Sequence, residues 1–434
     1  MPRLVESFGR TALTFALGVA LFGCPVLAHA SGYDTPMLYS ARHMGMGGAA
    51  IGYVNDPSAL FHNPAGLGQI QRGEVLGDFS LLLGGIHGSP GGFNNGKNVD
   101  SDLTVAPFFL VGGAYRVHKY ITLGAGVYPV ASAGGTYHYP SAPNGTVNDF
   151  EDRTDLFFLE ASPALAVNPL PNVRFGFGYR ITYVHLTRFA GAEGRDPSID
   201  FKVSGQSFTG FRIGAQWDAL PWLHFGAVYR NKTTTKVTNS HGIAFNPYTD
   251  ISTNFTLPSK LGFGSRLDFD PWRVPAALAV DFEYSFNSEN KGDPLRGTPV
   301  DPMSPNQVDN VFEWTNSSTL RMGAEYRVWH DDVNHVDRIP LRVGYVFDSQ
   351  SANARYPTAF GTPPGATQVF TLGSGYNGGR WQTNLAYAYR VGSGDVTTAD
   401  IAATPDHKTC AFCGYEGHYM IHLNGIYIDA SYKF

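Results

Sequence analysis

Cys410 and Cys413 stand in a Cys-x-x-Cys spacing, with His407 and His418 on either side. Two thiolates and two imidazoles make a zinc ligand set. In an oxidising compartment the same pair closes a disulfide instead, and an exported chain favours the disulfide. His87 and Ser89, in the glycine-rich stretch 85–96, could form the base and nucleophile of a barrel hydrolase. That reading ranks behind the others, because no Gly-x-Ser-x-Gly elbow, P-loop or His-Glu-x-x-His accompanies it. No enzyme activity, metal or cofactor is expected. The charged residues Asp281, Glu283, Arg321, Glu325, Arg327 and Arg342 fall on one parity of three successive segments. Charges placed so pair across strands, although one arginine could instead hold a ligand carboxylate.

The composition says what kind of element must carry these groups. Charged residues are 15% of 434, aromatics are 14%, and there are 51 glycines. A typical soluble protein carries roughly 25% charged residues. A wall that meets lipid on one side accounts for the deficit. The formal net charge of −5 gives no basis for binding nucleic acid.

Arg3 and Arg10 precede the apolar run Thr11 to Leu21, and Ala28-His29-Ala30 is a small-x-small cleavage site. Residues 1–30 are therefore read as a signal peptide, which would also remove Cys24. A membrane anchor needs ~20 apolar residues. A lipoprotein signal at Leu21-Phe22-Gly23-Cys24 fits poorly because of Phe22 and Pro25. Downstream no run reaches the ~18 apolar residues of a transmembrane helix, which leaves a soluble exported protein or a barrel.

From residue 72 onward the pattern has period two, the mark of strands with two different faces. Phe175, Phe177, Tyr179, Ile181 and Tyr183 alternate with Arg174, Gly176, Gly178, Arg180 and Thr182. The segments around 273–286, 320–328 and 381–391 repeat the pattern. Fourteen strands are expected, near 72–86, 102–117, 119–132, 154–168, 172–188, 198–218, 221–237, 252–270, 273–289, 309–328, 338–350, 366–377, 379–392 and 417–434. Short turns such as Val117-His118-Lys119 alternate with long loops such as 288–308 and 392–416. An even strand count with short turns at one end is the form of an outer-membrane antiparallel β-barrel. The stretch 329–338 is longer than such a turn should be. Gly176-Phe177-Gly178 and Gly262-Phe263-Gly264 are read as glycines that relieve crowding inside strands.

Residues 31–71 break this pattern. They contain Gly45-Met46-Gly47-Gly48 and then Asn63-Pro64-Ala65-Gly66-Leu67. Further on stand Leu257-Pro258-Ser259-Lys260-Leu261-Gly262, Val280-Asp281-Phe282-Glu283-Tyr284 and Gly344-Tyr345-Val346-Phe347-Asp348. In this order the chain resembles the FadL/TodX family of outer-membrane transport proteins. The resemblance implies a hatch (31–71) that plugs the lumen of a fourteen-stranded barrel (72–434). It also implies uptake of long-chain fatty acids or aromatic hydrocarbons, lateral exit through the wall after the hatch shifts, and a monomer.

Within that frame Phe61, Asn63, Pro64 and Ala65 are the expected gating residues. Pro64 fixes φ and Asn63 can bond nearby backbone, so a static structural turn is the competing reading. Ile421, Leu423 and Tyr427, with Arg321 and Arg342, are the expected lumen-lining residues. Phe434, at the end of an alternating strand, resembles the signal read by the barrel-assembly machinery. The other expected partners are a hydrophobic small molecule, outer-membrane lipid and lipopolysaccharide. An assembly partner for secretion and a general porin are the remaining alternatives.

Overall fold

The computed structural model describes residues 39–88, 99–141, 148–192, 197, 199–245, 248, 250–300, 302–303, 306–308, 310–331, 336–354, 365–402 and 417–434. The predicted signal peptide, Ser89, His407, Cys410 and Cys413 lie outside them.

Fourteen wall strands form one closed antiparallel sheet. They are β1 Gly73–Gly88, β2 Thr104–His118, β3 Ile121–Ser141, β4 Asn148–Leu170, β5 Val173–Ala192 and β6 Ile199–Leu220. Next come β7 (Leu223–Arg230 and Thr233–Phe245) and β8 (Ser252–Leu257 and Lys260–Asp268). The last six are β9 Ala276–Ser285, β10 Ser317–Asp331, β11 Val336–Asp348, β12 Thr367–Asn377, β13 Trp381–Val396 and β14 Gly417–Lys433. Closure is made by β1 against β14, from Glu74↔Lys433 to His87↔Met420. A closed sheet leaves no edge, which is the condition for placing strands in hydrocarbon.

The alternation decides which face meets lipid. Phe175, Phe177, Val280, Phe282, Leu372 and Ile428 point outward and are exposed. Their neighbours Arg174, Arg180, Asp281, Arg321 and Asp429 point inward and are buried. At the short-turn end Tyr115, Trp217, Trp272, Trp381, Tyr432 and Phe434 form an exposed aromatic girdle.

Several boundaries differ from the sequence expectation. The expected strands 221–237 and 252–270 are each broken, at Asn231-Lys232 and at Pro258-Ser259. Pro258 has no N–H to give to the ladder. The Asn231 amide takes up backbone positions itself, donating to the carbonyls of Thr209 and Lys232. The Lys232 amide donates to Ser259 Oγ at 3.0 Å, which bridges the two breaks. The stretch 329–338 is no long connection, because β10 runs to Asp331 and β11 starts at Val336. His87 lies in β1 rather than in a loop, bonded to Asp100 on the short strand Val99–Asp100 that pairs with β1.

Residues 39–70 sit inside the barrel as the short helices α1 Ala41–Met44 and α2 Ala59–His62 and a 3-10 turn Pro64–Gln69. The wall makes room for this inner segment with glycine. A Cβ at Gly214 would lie 2.0 Å from Asn63 Oδ1, and one at Gly344 would lie 2.1 Å from the Gly47 amide. Gly176 and Gly264 are likewise positions where the inner segment passes. Their use is close approach by a second chain segment, beyond the relief of crowding expected from sequence.

Candidate functional site

The inner segment divides the lumen. Asn63 is buried, and its Nδ2 donates to the carbonyls of Ile51 at 2.9 Å and Ala215 at 3.1 Å. Its Oδ1 accepts from the Ala65 amide and caps the turn that Pro64 starts. Asp281 Oδ2 accepts the amides of Ala50 and Ile51 at 2.7 and 2.8 Å. Asp429 Oδ2 accepts from Ser40 Oγ at 2.7 Å and from the Arg42 amide at 3.1 Å. The inner segment is therefore pinned by carboxylates through its backbone, with the wall's own ion pairs lying beneath it.

Those ion pairs form a charged floor toward the short-turn end. Arg342 pairs with Glu325 at 2.7 Å, Arg266 with Asp268 at 2.8 Å and Arg327 with Asp270 at 2.8 Å, while Arg321 pairs with Glu283 at 3.2 Å nearer the long-loop ends of β9 and β10. The first three pairs surround a polar chamber of about 240 Å³ that Arg42, Asn55 and Asn384 also line. Arg321 and Arg342 are thus placed on the lumen face, each paired with a carboxylate of the wall. Tyr427 is buried beside α1, in contact with Ala41 and Met44. Ile421 and Leu423 share its face higher on β14 and are half-buried.

Within the inner segment three ionisable groups are enclosed. Burial pushes His62 from its ordinary 6.5 to about 3, and its neighbour His43 adds to this. Burial lowers His43 as well. Burial alone would raise Asp56, but His43, Arg42 and Ser58 outweigh it and hold the carboxyl below its usual range. His62 is therefore a neutral donor, with Nε2 lying 2.8 Å from the Tyr39 carbonyl oxygen.

Above the inner segment the lumen turns apolar. Leu156, Phe158, Val184, Leu186, Val203 and Phe255 are buried in one cluster with Leu60 and Tyr128. A small ionic group lies between the two zones. Glu160 and Arg180 have no exposure at all, and Arg180 Nε donates to Glu160 Oε2 at 2.6 Å. Arg212 donates to Tyr128 Oη at 3.0 Å and lies 3.5 Å from Glu160 Oε1. Two guanidiniums thus share one carboxylate, and Arg180 Nη2 is buried without a hydrogen-bond partner. Phe61 closes the group, with its ring 5.6 Å from the Arg212 guanidinium and edge-on to Tyr39 and Tyr128.

The wall is open beside this group. The β2–β3 ladder runs from His118↔Ile121 only as far as Val111↔Val127. The two strands meet again at Ser101↔Tyr137 and where the Asp102 amide bonds the Thr136 carbonyl. Between these points, over 103–110 and 128–135, no ladder joins them, while β1 and β4 pair normally on the far sides. Pro107 and Pro129 lie in the two facing stretches, and neither has an N–H to give. At Pro129–Ala131 the β3–β4 register shifts, and Tyr128 to Ala131 are buried without alternation, so β3 bends inward. An unpaired backbone group in hydrocarbon costs several kcal/mol, so such a window persists where water or a ligand reaches it. Below the window Val75, Val111, Val127 and Pro163 frame an apolar recess of about 640 Å³.

Sequence reasoning named Arg180 only as one member of an alternation, and passed over Glu160, Arg212 and Tyr128. It also passed over the window, whose visible signal was a proline near the middle of two consecutive strands.

A family model described as outer membrane protein transport protein (OMPP1/FadL/TodX) matches residues 27–412. An outer-membrane protein of Neisseria meningitidis serogroup B is 31% identical over 143 residues, which are 30% of this chain and 29% of that protein. The match thus spans under a third of that relative's length. Among solved structures, a Pseudomonas aeruginosa FadL homologue superposes with a TM-score of 0.66 at 15% identity, over 94% of this chain and 100% of that one. The Pseudomonas putida toluene transporter TodX gives 0.64 at 16%, over 92% and 99%. The Ralstonia pickettii toluene transporter TbuX gives 0.60 at 16%, over 92% and 98%. With its match over most of its length, the chain belongs to the OMPP1/FadL/TodX family of outer-membrane transport proteins.

Proposed function

We propose that this barrel takes up amphipathic molecules with an anionic head and a long apolar tail, namely long-chain fatty acids, and delivers them sideways into the membrane. The observation that carries the reading is the buried pair Arg180 and Arg212 facing the single carboxylate Glu160. An unmatched buried cation is costly unless an anion completes it. A carboxylate head bound there places the tail among Phe158, Val184 and Phe255, where each buried CH₂ contributes about 0.8 kcal/mol. The axial way onward is the charged floor of Arg266, Glu325 and Arg342, where a tail would be desolvated against ion pairs. The window between β2 and β3 is apolar and adjoins the ionic group through Tyr128. In this reading residues 39–70 act as a hatch, with Phe61 at the gate and Asn63, Pro64 and Ala65 as its seat.

The partners follow from the same geometry. Sheet closure by β1 and β14 leaves no edge to which a neighbouring copy could add a strand, and the family supports a monomer. Phe434 is exposed at the end of β14, where assembly machinery could read it. Lipid and lipopolysaccharide would surround the outer face.

The test is uptake of oleate and of toluene in a host lacking its own channel, with the barrel confirmed in the outer membrane. Oleate uptake that falls at least tenfold in Arg180→Met supports the reading. Toluene uptake without oleate uptake moves the assignment to aromatic hydrocarbons. Transport of neither, with a specific co-purifying protein, favours an interaction barrel.

A further inference from the structure

The bend of β3 is made in the wall at the Pro129–Ala131 register shift, and the inner segment adds a strut that holds it. The unpaired stretches of β2 and β3 face each other, and backbone groups left without partners draw together. Two bonds oppose this. Tyr128 Oη lies 3.0 Å from the Leu60 carbonyl oxygen and 2.8 Å from Glu160 Oε1, which share its one proton, and Tyr39 Oη donates to the Pro129 carbonyl. Pro129 stands where the β3–β4 register slips, so its carbonyl is the point at which the bend is made.

Tyr39 is itself held from several sides. His62 Nε2 donates to its carbonyl at 2.8 Å. The next residue, Ser40, has φ of 68° and is fixed by its Oγ bond to Asp429 at 2.7 Å. A left-handed serine costs of order 1 kcal/mol and persists only where its surroundings hold it. The Tyr39 ring lies 5.0 Å from Phe61 and 5.9 Å from Tyr128, so it is packed as well as bonded.

We propose that Tyr39 is the positioning residue of the lateral window: its hydroxyl, anchored through Ser40 and His62, holds the Pro129 carbonyl inward and keeps β2 and β3 apart. Without it that carbonyl loses its partner, and β3 is free to move outward toward the facing stretch of β2. A ligand tail that parts the Tyr39, Phe61 and Tyr128 rings acts on the same strut. The assignment rests on lateral exit, but the strut can be read without any ligand.

The experiment compares wild type, Tyr39→Phe and Thr371→Val as full-length barrels in nanodiscs. Tyr39→Phe keeps the ring and loses the strut. Thr371→Val removes hatch contacts of similar strength, to the Gly47 amide and the Gly45 carbonyl, five strands away. The first readout is ligand-free amide exchange over 104–110 and 130–135. Tyr39→Phe is expected to slow it about fivefold, the factor that one neutral buried hydrogen bond carries, and Thr371→Val is expected to leave it unchanged. Unchanged exchange in Tyr39→Phe overturns the proposal, as does an equal change in Thr371→Val, which would make Tyr39 an ordinary contact. The second readout is transfer of a fluorescent long-chain fatty acid into the surrounding bilayer, expected to slow by a similar factor while equilibrium binding stays within twofold. If exchange responds and the wild type transfers no fatty acid, the strut stands and the transport reading fails.

Discussion

The Asn63 side-chain nitrogen lies 3.1 Å from the carbonyl oxygen of Ala215, so one amide ties the inner segment directly to β6 near its short-turn end. The same nitrogen holds Ile51, and the opposite oxygen caps Ala65. Replacing Asn63 with Ala removes these bonds and leaves buried carbonyls unpaired, at a cost of about 1–3 kcal/mol to the seating of residues 39–70. Protease cleavage within 39–70 is expected to rise at least tenfold, while the heat-dependent gel shift of the barrel stays as in wild type. A lost gel shift would mean that Asn63 serves the wall rather than the hatch.

Glu160 is the only carboxylate within 4.0 Å of Arg180 and Arg212 among the described residues. Glu160→Gln leaves two buried guanidiniums uncompensated, and losing one partner of a buried pair costs about 3–5 kcal/mol. Thermal unfolding in detergent is expected at a lower temperature than wild type. Added oleate should recover part of the loss, because its carboxylate supplies the missing charge. An equal recovery with a neutral alkane of the same length would remove the headgroup from the argument.

Acid is expected to loosen the inner segment. His62 is depressed from 6.5 to about 3, and His43 is also lowered, so the released segment binds protons that the seated one refuses. Seating is then fully favourable above about 6.5 and weakens as the pH falls toward 3, by of order 1 kcal/mol per unit for one histidine. Asp56, held below its usual range, loses its contribution in the same direction at lower pH. Amide exchange over 41–63, corrected for its intrinsic pH dependence, should accelerate between pH 6 and 4. His62→Gln, which keeps a donor for Tyr39, should flatten that response.

Phe177 points into the lipid from β5, and Arg180, three residues on, points into the lumen. Phe177→Arg is expected to destabilise the inserted barrel by about 2–4 kcal/mol if the site is near the midplane, and by less toward an interface. Folding into liposomes of graded thickness measures this. A neutral outcome in every bilayer would mean that β5 sits higher in the membrane than its neighbours.

The wall was legible in the sequence because a strand writes both its faces into alternate residues. Phe175, Phe177 and Arg174 gave away their sides without reference to anything distant. The stretch 329–338 was read as longer than a turn should be, since the strand ends at Asp331 and Val336 depend on partners rather than on composition. Asn63-Pro64-Ala65 was legible as a turn, because its proline and its capping amide act within three residues. That Asn63 also grips Ala215, 152 positions away, was not.

The amino-acid sequence by itself determined the strand count, the lipid-facing set and the family, because these rest on short-range periodicity and local motifs. The tertiary structure alone decided that Glu160, Arg180 and Arg212 share one charge group, that Tyr39 reaches Pro129, and that β2 and β3 part between them. Each of these joins segments tens of residues apart, across strands whose curvature and register only the closed sheet defines. A contact of that kind leaves no period in the chain, and its energy exists only after the barrel has closed around the inner segment.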